Sequence, residues 1–472
     1  MNRPLPEHDK AWRIGLAPGS LPLLGHGLAL YRQPLAFLNS LSVYGDLVEL
    51  RLGPRRAWMV CHPELAHQVL MDTGTFDKGG PLYDRLGALM GNGLVTCRQN
   101  THRDKRRLLQ PAFRPSYVPS YANLIAGETE AVCSGWADGR TVPVTESMMT
   151  LTTRVISHVL FSDSLDKERI AEVRDCLTTI VRGLFVRTIV PVSGLFRLPI
   201  PPNRRYQYSL SRLHSIINAV IENRAKGTDH NDVLGTLLQA SIKAKDVHDH
   251  LITLLLTGVE APALCLSDAF SLLARHPEAE QRLHRELNAV LPGGRLPRQE
   301  DLPHLIYTRC VITETLRHSS PGWLFTRLTT KETELAGHKL PRGATVLYSP
   351  YLLHHDSSSF PQPDHFLPDR WLAGESTIGE RHAFVPFSAG NRKCLGDEFS
   401  MVQATLALAT VAARWRLRCL PEEAKSKVRP AITLGQRELV MTCQSRIETG
   451  TGHAVAEYRA SRVTGESDAG HA

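Results

Sequence analysis

The chain has 472 residues, 42% of them hydrophobic and 22% charged, a balance typical of globular proteins that excludes wholesale disorder. The net charge of +8 is mild for this length, and basic residues are not interleaved with aromatic ones, which argues against nucleic-acid binding. The nine cysteines form no CxxC pair, so neither a zinc site nor a disulfide framework is expected. A cysteine with a chemical role would therefore act alone.

The N-terminal sequence MNRPLPEHDK contains no apolar run long enough for a signal peptide or a membrane anchor. We therefore expect a soluble, cytoplasmic protein. We also expect it to be a monomer. No Gly/Ser-rich or Pro-rich linker divides the chain, which favours a single domain over residues 15–446 after an extension at 1–14. The polar, small-residue-rich segment 447–472 is predicted to be a disordered tail.

Apolar residues recur at helical spacing through most of the chain after residue 60. Strand-like pieces are short and lie at 47–60, 334–349 and 429–443. This pattern predicts a mainly α fold with small β-sheets, and no repeat indicates a solenoid or propeller. Before the long helix described next, the predicted helices lie near 62–73, 117–135, 147–161, 165–186, 205–224 and 231–242.

One helix is predicted to be unusually long. Asp246 and Asp249 resemble a capping box, and the apolar pattern then continues to Arg275, just before Pro277. About 29 residues at 1.5 Å each give roughly 43 Å, enough to cross a domain. Gly258, Glu260 and Pro262 interrupt the apolar face, so the pattern favours a core helix over a membrane span.

The most specific motif is PFSAGNRKCLGDEF. Cys394 lies between a turn-rich loop and an amphipathic helix, and a thiol at a helix N-terminus is biased toward the thiolate that a haem iron needs. Gly390 permits a sharp turn, and Gly396 permits close approach of a flat ligand. Phe387 can shield the sulfur, and Arg392 can reach a propionate. A buried structural cysteine is the alternative, but it leaves these four neighbours unexplained.

These five residues match FxxGxRxCxG, and over residues 15–445 the chain resembles the cytochromes P450. The resemblance implies the cytochrome P450 fold, haem b as cofactor, and Cys394 as the axial ligand of the iron. The chain looks closest to actinobacterial members that oxidise sesquiterpenes. That narrower likeness is carried by PLLGHG at 22–27, NRRYQYSLSRLH at 203–214 and YSPYLLHHD at 348–356.

Three further residues fit a structural triad of the family. Glu314 and Arg317 match its ExxR motif, and residues three apart on a helix lie on one face, so the two can pair. Arg370 in FLPDRW fits the arginine that completes the triad. The resemblance implies that the triad braces the haem-binding core; a solvated surface pair is the alternative.

Three more residues fit the haem propionate site of the family. His102 and Arg106 match the helix that donates to propionates, with His in place of the more common Trp. Arg327, ten residues before Gly337, resembles the strand arginine that binds the other propionate. The alternative for each is a solvated polar group.

The family's oxygen-binding helix usually reads AGxET or AGxDT, but here it reads TGVEAP at 257–262. Glu260 retains the acid, whereas Ala261 lacks the hydroxyl, and Pro262 cannot hydrogen-bond to the carbonyl of Gly258. A substrate hydroxyl or ordered water can replace the threonine. The alternatives are peroxide use, for which relatives carry Arg-Pro at these two positions, a non-oxygenating dehydration or rearrangement, or drift in a poorly active enzyme.

The substrate walls are expected near 79–97, 181–190, 323–326 and 432–434. Arg182 and Arg187 flank the second of these, and solvent exposure is the simpler interpretation of both. An apolar pocket suits a neutral substrate of terpenoid size. The principal predicted pocket residues are Leu86, Leu89, Phe185, Leu324, Phe325 and Leu434, with Leu82, Met90, Leu184 and Val186 beside them.

The function expected from these features is hydroxylation of a terpenoid in secondary metabolism. No flavin domain fits in this length, so electrons must come from separate ferredoxin and ferredoxin reductase proteins. An acidic ferredoxin would suit a basic face formed by Arg103, Lys105, Arg106, Arg107 and Lys393. The rival from another class is a haem-binding protein without turnover.

Overall fold

The computed structural model describes residues 11–189, 193–224, 232–240, 242–372, 378–421 and 431–446. The first part of the predicted extension, residues 1–10, and the whole predicted tail at 447–472 lie outside the described residues. Helices dominate the described part, and its strands form three small sheets, so the predicted fold class is confirmed.

The helices follow the apolar periodicity of the sequence. Each helical stretch predicted before the long helix contains a helix, with ends that differ by a few residues. The helices are α1 (Gly27–Arg32), α2 (Pro34–Tyr44), α3 (Pro63–Met71), α4 (Pro81–Met90), α5 (Gln99–Leu109), α6 (Ala122–Cys133), α7 (Val144–Phe161), α8 (Lys167–Ile189), α9 (Pro201–Arg224), α10 (Val233–Gln239), α11 (Ala244–Arg275), α12 (Pro277–Val290), α13 (Ile306–Ser319), α14 (Pro350–His354), α15 (Ile378–Ala383) and α16 (Asp397–Arg414).

The strands are short and belong to three sheets, ordered β1-β2-β3-β9-β6-β4, β10-β11-β5 and β7-β8. In the largest sheet β2 and β3 form an antiparallel hairpin, and β3 pairs with β9 in parallel. The strands are β1 (Ile14–Leu16), β2 (Leu47–Leu52), β3 (Arg55–Val60), β4 (Phe76–Asp77), β5 (Thr141–Pro143), β6 (Phe325–Thr329), β7 (Thr333–Leu335), β8 (His338–Leu340), β9 (Thr345–Tyr348), β10 (Trp415–Cys419) and β11 (Val440–Ser445).

The long helix α11 lies in the main core with α7, α13 and α16. It begins at Ala244, so the predicted capping box at Asp246 is wrong; Asp249 instead accepts from the backbone N–H of Asn92 at 2.8 Å. The helix continues through Pro262 to Arg275, about 48 Å at 1.5 Å per residue. It is long and apolar enough to cross a membrane, but 83% of its most apolar 18-residue stretch is buried, as expected of a core helix.

The loop after α4 is fitted tightly against α11. A Cβ atom at Gly91 would overlap the carboxylate of Asp249, and one at Gly93 would overlap the hydroxyl of Thr253. Between them, the carbonyl of Asn92 accepts from Nζ of Lys105 on α5 at 2.6 Å. We call residues 91–93 the glycine seam, since it joins α4, α5 and α11.

Candidate functional site

A cavity of about 380 Å³ lies between α11, α4, α5 and the loop that carries Cys394. Most of the residues singled out from the sequence meet on its wall, although they come from distant parts of the chain. They are Leu86, His102, Arg106, Glu260, Ala261, Leu324, Phe325, Arg327, Phe387, Arg392, Cys394 and Gly396.

The loop over residues 387–396, which we call the cysteine loop, is shaped by two tight backbone contacts. The N–H of Cys394 donates to the carbonyl of Phe387 at 2.8 Å. Gly390 has a φ of 65°, and a Cβ atom there would meet the backbone carbonyl of Leu70, so only glycine fits. Gly390 therefore shapes the loop without lining the cavity, and Gly396 immediately precedes α16.

Cys394 lines the cavity and is exposed there. Desolvation by the surrounding protein raises the pKa of its thiol, while a hydrogen bond from the backbone of Gly396 and the charges of Lys78 and Arg106 act to lower it. The described residues contain no group of three or more His, Cys, Asp or Glu side chains that could hold a bare metal ion. A metal at Cys394 would therefore need its remaining ligands from elsewhere, as a porphyrin supplies them.

Uncompensated cations lie on the same wall. Arg327 is 1% exposed, and among the described residues it bonds only neutral groups: the carbonyl of Thr326 at 3.0 Å and the hydroxyls of Tyr83 and Tyr348 at 3.4 and 3.3 Å. Its Nε has no hydrogen-bond partner among the described residues. A buried charge left in this state favours an anionic ligand.

Lys78 is a further cation that the sequence reasoning missed, because no motif marks it. Its side chain lines the cavity, with Nζ 5.9 Å from the ring centroid of Tyr83. Burial lowers its pKa to about 7, and the charges of Arg327 and Arg392 add to that effect.

The two residues predicted on α5 also reach the cavity. Burial, helped by the charges of Arg392 and Lys78, lowers the pKa of His102 to about 3, so its ring is neutral and carries one N–H. Arg106 donates to the carbonyl of Lys393 at 2.6 Å and to the side chain of Gln110 at 3.1 Å. With Cys394 and several cations in its wall, the cavity would suit an iron porphyrin, and those cations would be available to hold its carboxylates.

Arg392 is held largely by the protein itself. Its guanidinium donates to Asp77 at 2.6 Å, to the carbonyl of Cys97 at 3.0 Å and to the side chain of Gln99 at 3.1 Å. Most of its donors are therefore already used, and its main visible role is to tie the cysteine loop to β4 and to the start of α5.

Glu314, Arg317 and Arg370 meet in the structure, away from the cavity wall. The two oxygens of Glu314 accept from Arg317 at 2.9 and 2.8 Å, and one of them accepts from Arg370 at 3.1 Å. Glu314 also accepts from the indole of Trp371 at 2.8 Å and from the backbone of Leu367 at 2.9 Å. Glu314 and Arg317 are both fully buried, so the triad is an internal brace and not a solvated surface pair.

On α11, Ala261 and Glu260 both line the cavity, but the carboxylate of Glu260 forms an ion pair with Arg437. Arg437 in turn donates to the carbonyl and hydroxyl of Thr433 at 3.0 and 2.9 Å. Sequence reasoning missed Arg437 because it lies 177 residues from Glu260 and no local pattern distinguishes it.

The apolar wall differs from the prediction at three positions. None of Leu89, Phe185 and Leu434 lines the cavity. Leu89 packs in the main core, and Phe185 and Leu434 pack in a second cluster with Trp323. Their apolar character alone could not separate pocket from core. Of the other predicted neighbours, Leu82, Met90 and Leu184 line the cavity, whereas Val186 is 44% exposed.

Two basic side chains also lie elsewhere than expected. Arg187 does not face solvent: it packs against the rings of Phe196 and Tyr206, 4.9 and 3.7 Å from their centroids. Lys105 is only 13% exposed and pairs with Asp246 at 3.2 Å, so it cannot belong to an open docking face. The predicted exposure holds for Arg182, which is 56% exposed.

The chain matches the sequence model "Cytochrome P450" over residues 16–442. It is 44% identical to cyclooctatin synthase of Streptomyces melanosporofaciens, over 92% of this chain and 96% of that protein. It is also 44% identical to cyclooctat-9-en-7-ol 5-monooxygenase of the same organism, over 88% and 91%. Pentalenene oxygenase of Streptomyces avermitilis is 40% identical over 88% of this chain and 93% of its own.

Proposed function

The chain belongs to the cytochrome P450 family, and on that premise we propose that it hydroxylates a terpenoid of bacterial secondary metabolism, with Cys394 as the axial ligand of haem b. The observation that carries the proposal is the cysteine in the wall of a mainly apolar cavity, beside Arg327, a buried cation whose printed partners among the described residues are all neutral. The proposal assigns this activity to one domain spanning residues 15–446.

When bound, haem b would supply dioxygen activation: with two electrons and two protons, one oxygen atom would enter a C–H bond and the other would leave as water. The propionates would be held by His102, Arg106, Arg327 and Lys78. Phe387, which is close to Cys394 in the sequence, also lines the cavity. The apolar walls keep bulk water from the reacting carbon. Arg392 and the Glu314 triad position the loop and the core around this site.

The substrate we propose is a terpenoid alcohol. One 44% identical relative is named as acting on cyclooctat-9-en-7-ol, a compound that already carries a hydroxyl. Such a hydroxyl would supply the hydrogen-bonding group that Ala261 lacks. The cavity wall also contains neutral polar side chains. Three of them are Thr253 and Thr257 on α11, and Thr433 on the segment before β11.

Electrons would come from a separate ferredoxin and its reductase. The enzyme would work in the cytoplasm, as a monomer. The exposed basic residues that remain for docking near Cys394 are Arg103, Arg107 and Lys393, since Lys105 is mostly buried. Lys393 pairs with Asp397, and Arg107 lies 4.0 Å from Asp104. Arg107 is 85% exposed and Lys393 is 51% exposed.

The test is a spectral titration of the holoenzyme with terpenes and the matching terpene alcohols, followed by product analysis. We expect alcohols to couple NADPH use to product, and hydrocarbons without the hydroxyl to release mostly peroxide. Ala261→Thr should improve coupling for those hydrocarbons and help the alcohols little. Product formation without oxygen uptake would favour the dehydration or rearrangement alternative, and binding without any turnover would favour a haem-binding protein.

A further inference from the structure

Three threonine side chains line the main cavity: Thr253 and Thr257 on α11, and Thr433 on the segment before β11. Thr253, Thr257 and Ala261 follow one another at intervals of four residues, so they lie on one face of the helix. The three hydroxyls make different hydrogen bonds within the protein. Those bonds determine what each can still offer to a bound molecule, because a hydroxyl has one proton to donate and two lone pairs to accept with.

The hydroxyl of Thr253 is closed to ligands. It donates to the carbonyl of Asp249 at 2.6 Å, and Thr253 is only 1% exposed. A Cβ atom at Gly93 would lie 1.9 Å from this oxygen, so the glycine seam packs directly against it. A bound molecule therefore has no room to reach this hydroxyl.

Thr257, one turn further along α11, is open to the cavity. Its hydroxyl donates to the carbonyl of Thr253 at 2.8 Å. This bond uses its single proton, so only the lone pairs of the oxygen remain. Thr257 therefore offers the cavity a hydrogen-bond acceptor.

Thr433 has the opposite arrangement. Its hydroxyl accepts from Nη2 of Arg437 at 2.9 Å, and its own proton has no acceptor among the described residues. Arg437 also donates to the carbonyl of Thr433 at 3.0 Å, and it pairs with Glu260, which lies three residues after Thr257 on α11. Thr433 is thus tied to the same stretch of helix, and it offers the cavity a hydrogen-bond donor.

We propose that Thr257 and Thr433 bind the hydroxyl of the substrate from two sides. The substrate O–H donates to Thr257, and the substrate oxygen accepts a hydrogen bond from Thr433. Both threonines are specificity-determining residues and take no part in the chemistry. The inference rests on the proposed function and deepens it, since it names the residues that bind the alcohol and the direction of each hydrogen bond.

The direction of these bonds determines which molecules are selected. An alcohol supplies both a donor and an acceptor, whereas a ketone of the same skeleton supplies an acceptor alone and a hydrocarbon supplies neither. A ketone could accept from Thr433, but its oxygen would meet the lone pairs of Thr257 with no proton between them. A site built to bond a hydroxyl discriminates against analogues without one, because its own polar groups are then left unpaired. The cavity should therefore select an alcohol over the matching ketone as well as over the hydrocarbon.

The selection can be measured by binding alone, on oxidised holoenzyme with no reductase or NADPH present. The three probes are cyclooctat-9-en-7-ol, the ketone formed by oxidising its alcohol, and the hydrocarbon that lacks the oxygen. Equilibrium dialysis gives the dissociation constants and needs no spectral change. The wild type should bind the alcohol at least about fivefold more tightly than either analogue, as expected from one or two neutral hydrogen bonds.

Each threonine should have its own signature in these constants. Thr257→Val should weaken binding of the alcohol by about two- to tenfold and should not weaken binding of the ketone. Thr433→Val should weaken binding of both, since a ketone can accept only from Thr433, and neither variant should change binding of the hydrocarbon. Thr257→Ser, which keeps the hydroxyl, should keep the wild-type selection. The matched control is Thr313→Val: Thr313 also donates to a carbonyl one helical turn earlier, that of Arg309 at 2.8 Å, but it does not line the cavity, so all three constants should stay unchanged.

Three results would overturn the inference. The first is a wild type that binds the alcohol no more tightly than the ketone. The second is a ketone that binds more weakly to Thr257→Val than to the wild type, and the third is unchanged binding of the alcohol in either valine variant. If a valine variant fails to load haem, the alanine variant at that position takes its place with the same expectations. Failure of the proposed function has a different result: the alcohol binds with this pattern, but no oxidised product forms when ferredoxin, ferredoxin reductase and NADPH are added.

Discussion

The guanidinium of Arg392 donates to the carboxylate of Asp77 at 2.6 Å, although 315 residues separate the two in the chain. Their side chains are 0% and 6% exposed. Asp77 also accepts from the backbone of Gln99 at 3.1 Å, so a single carboxylate joins β4, α5 and the cysteine loop.

Asp77→Asn should destabilise the holoenzyme by about 3–5 kcal/mol, because removing one partner leaves a buried charge uncompensated. Urea denaturation followed by Soret absorbance measures this change. Asp104→Asn is the matched control: Asp104 pairs with Arg107 at 4.0 Å with its side chain 79% exposed, and its loss should change stability by less than about 0.5 kcal/mol. Equal effects of the two substitutions would show that the buried Arg392–Asp77 pair contributes no more to stability than the exposed Asp104–Arg107 pair.

Cys394→Ala should abolish the red-shifted Soret band of the ferrous–CO complex, because that shift requires a thiolate ligand. Absorption spectroscopy of the purified variants checks it. Cys419→Ala serves as the control, since Cys419 lies on β10 and does not line the cavity, and it should keep the band. Loss of the band in Cys419→Ala with its retention in Cys394→Ala would reverse the assignment.

Lys78→Met should speed haem transfer to apomyoglobin by about tenfold or more, because a charge-assisted bond to a propionate is worth about 1.5–3 kcal/mol. Lys331→Met, at an exposed position on the loop before β7, should leave the rate unchanged. The same result for both lysines would remove Lys78 from the haem site.

The same lysine predicts a pH dependence of haem binding. In the haem-free protein the pKa of Lys78 is about 7, and a neighbouring propionate would raise it. Haem binding would then take up protons. The affinity for haem should therefore be highest below pH 7 and should fall as the pH rises above 7. Lys78→Arg, which stays charged, should bind haem tightly without this fall. A wild-type affinity that is flat between pH 6 and pH 9 would contradict the prediction.

Reduction by an acidic ferredoxin should slow as ionic strength rises, because salt screens charge-steered association. Arg107→Glu should slow it further at low salt, as measured by stopped-flow absorbance under CO. Arg55→Glu, an exposed change on β3, is the control for net charge. If Arg55→Glu slows reduction as much as Arg107→Glu does, net charge and not this face steers the partner.

Local patterns predicted what depends on local sequence. The apolar period located helices such as α7 and α9, and the ExxR spacing brought Glu314 and Arg317 together. The start of α11 was misplaced because Asp249, which resembles a capping residue, is used by the distant backbone of Asn92. A pattern within one helix cannot reveal a partner supplied by another segment.

The same limit explains the residues missed at the site. Lys78, Asp77 and Arg437 gain their importance from partners far along the chain, and no spacing rule links them. Phe185 and Leu434 were predicted to line the pocket but lie in a core cluster. The sequence alone cannot distinguish an apolar side chain in a core from one in a pocket wall. The charged or apolar character of a residue is visible in the sequence, but its neighbours in space are not.

The glycine seam has a consequence for redesigning substrate preference. Helix α4 carries Leu82, Leu86 and Met90 into the cavity, which makes it an attractive segment to exchange between relatives. Its C-terminal junction, however, has no room for side chains at Gly91 and Gly93 and is bonded to Lys105 and Asp249. Chimeras that cross over within 91–93 should lose haem-loaded protein, whereas those that cross over at 80 and 90 and keep the seam should fold with altered selectivity.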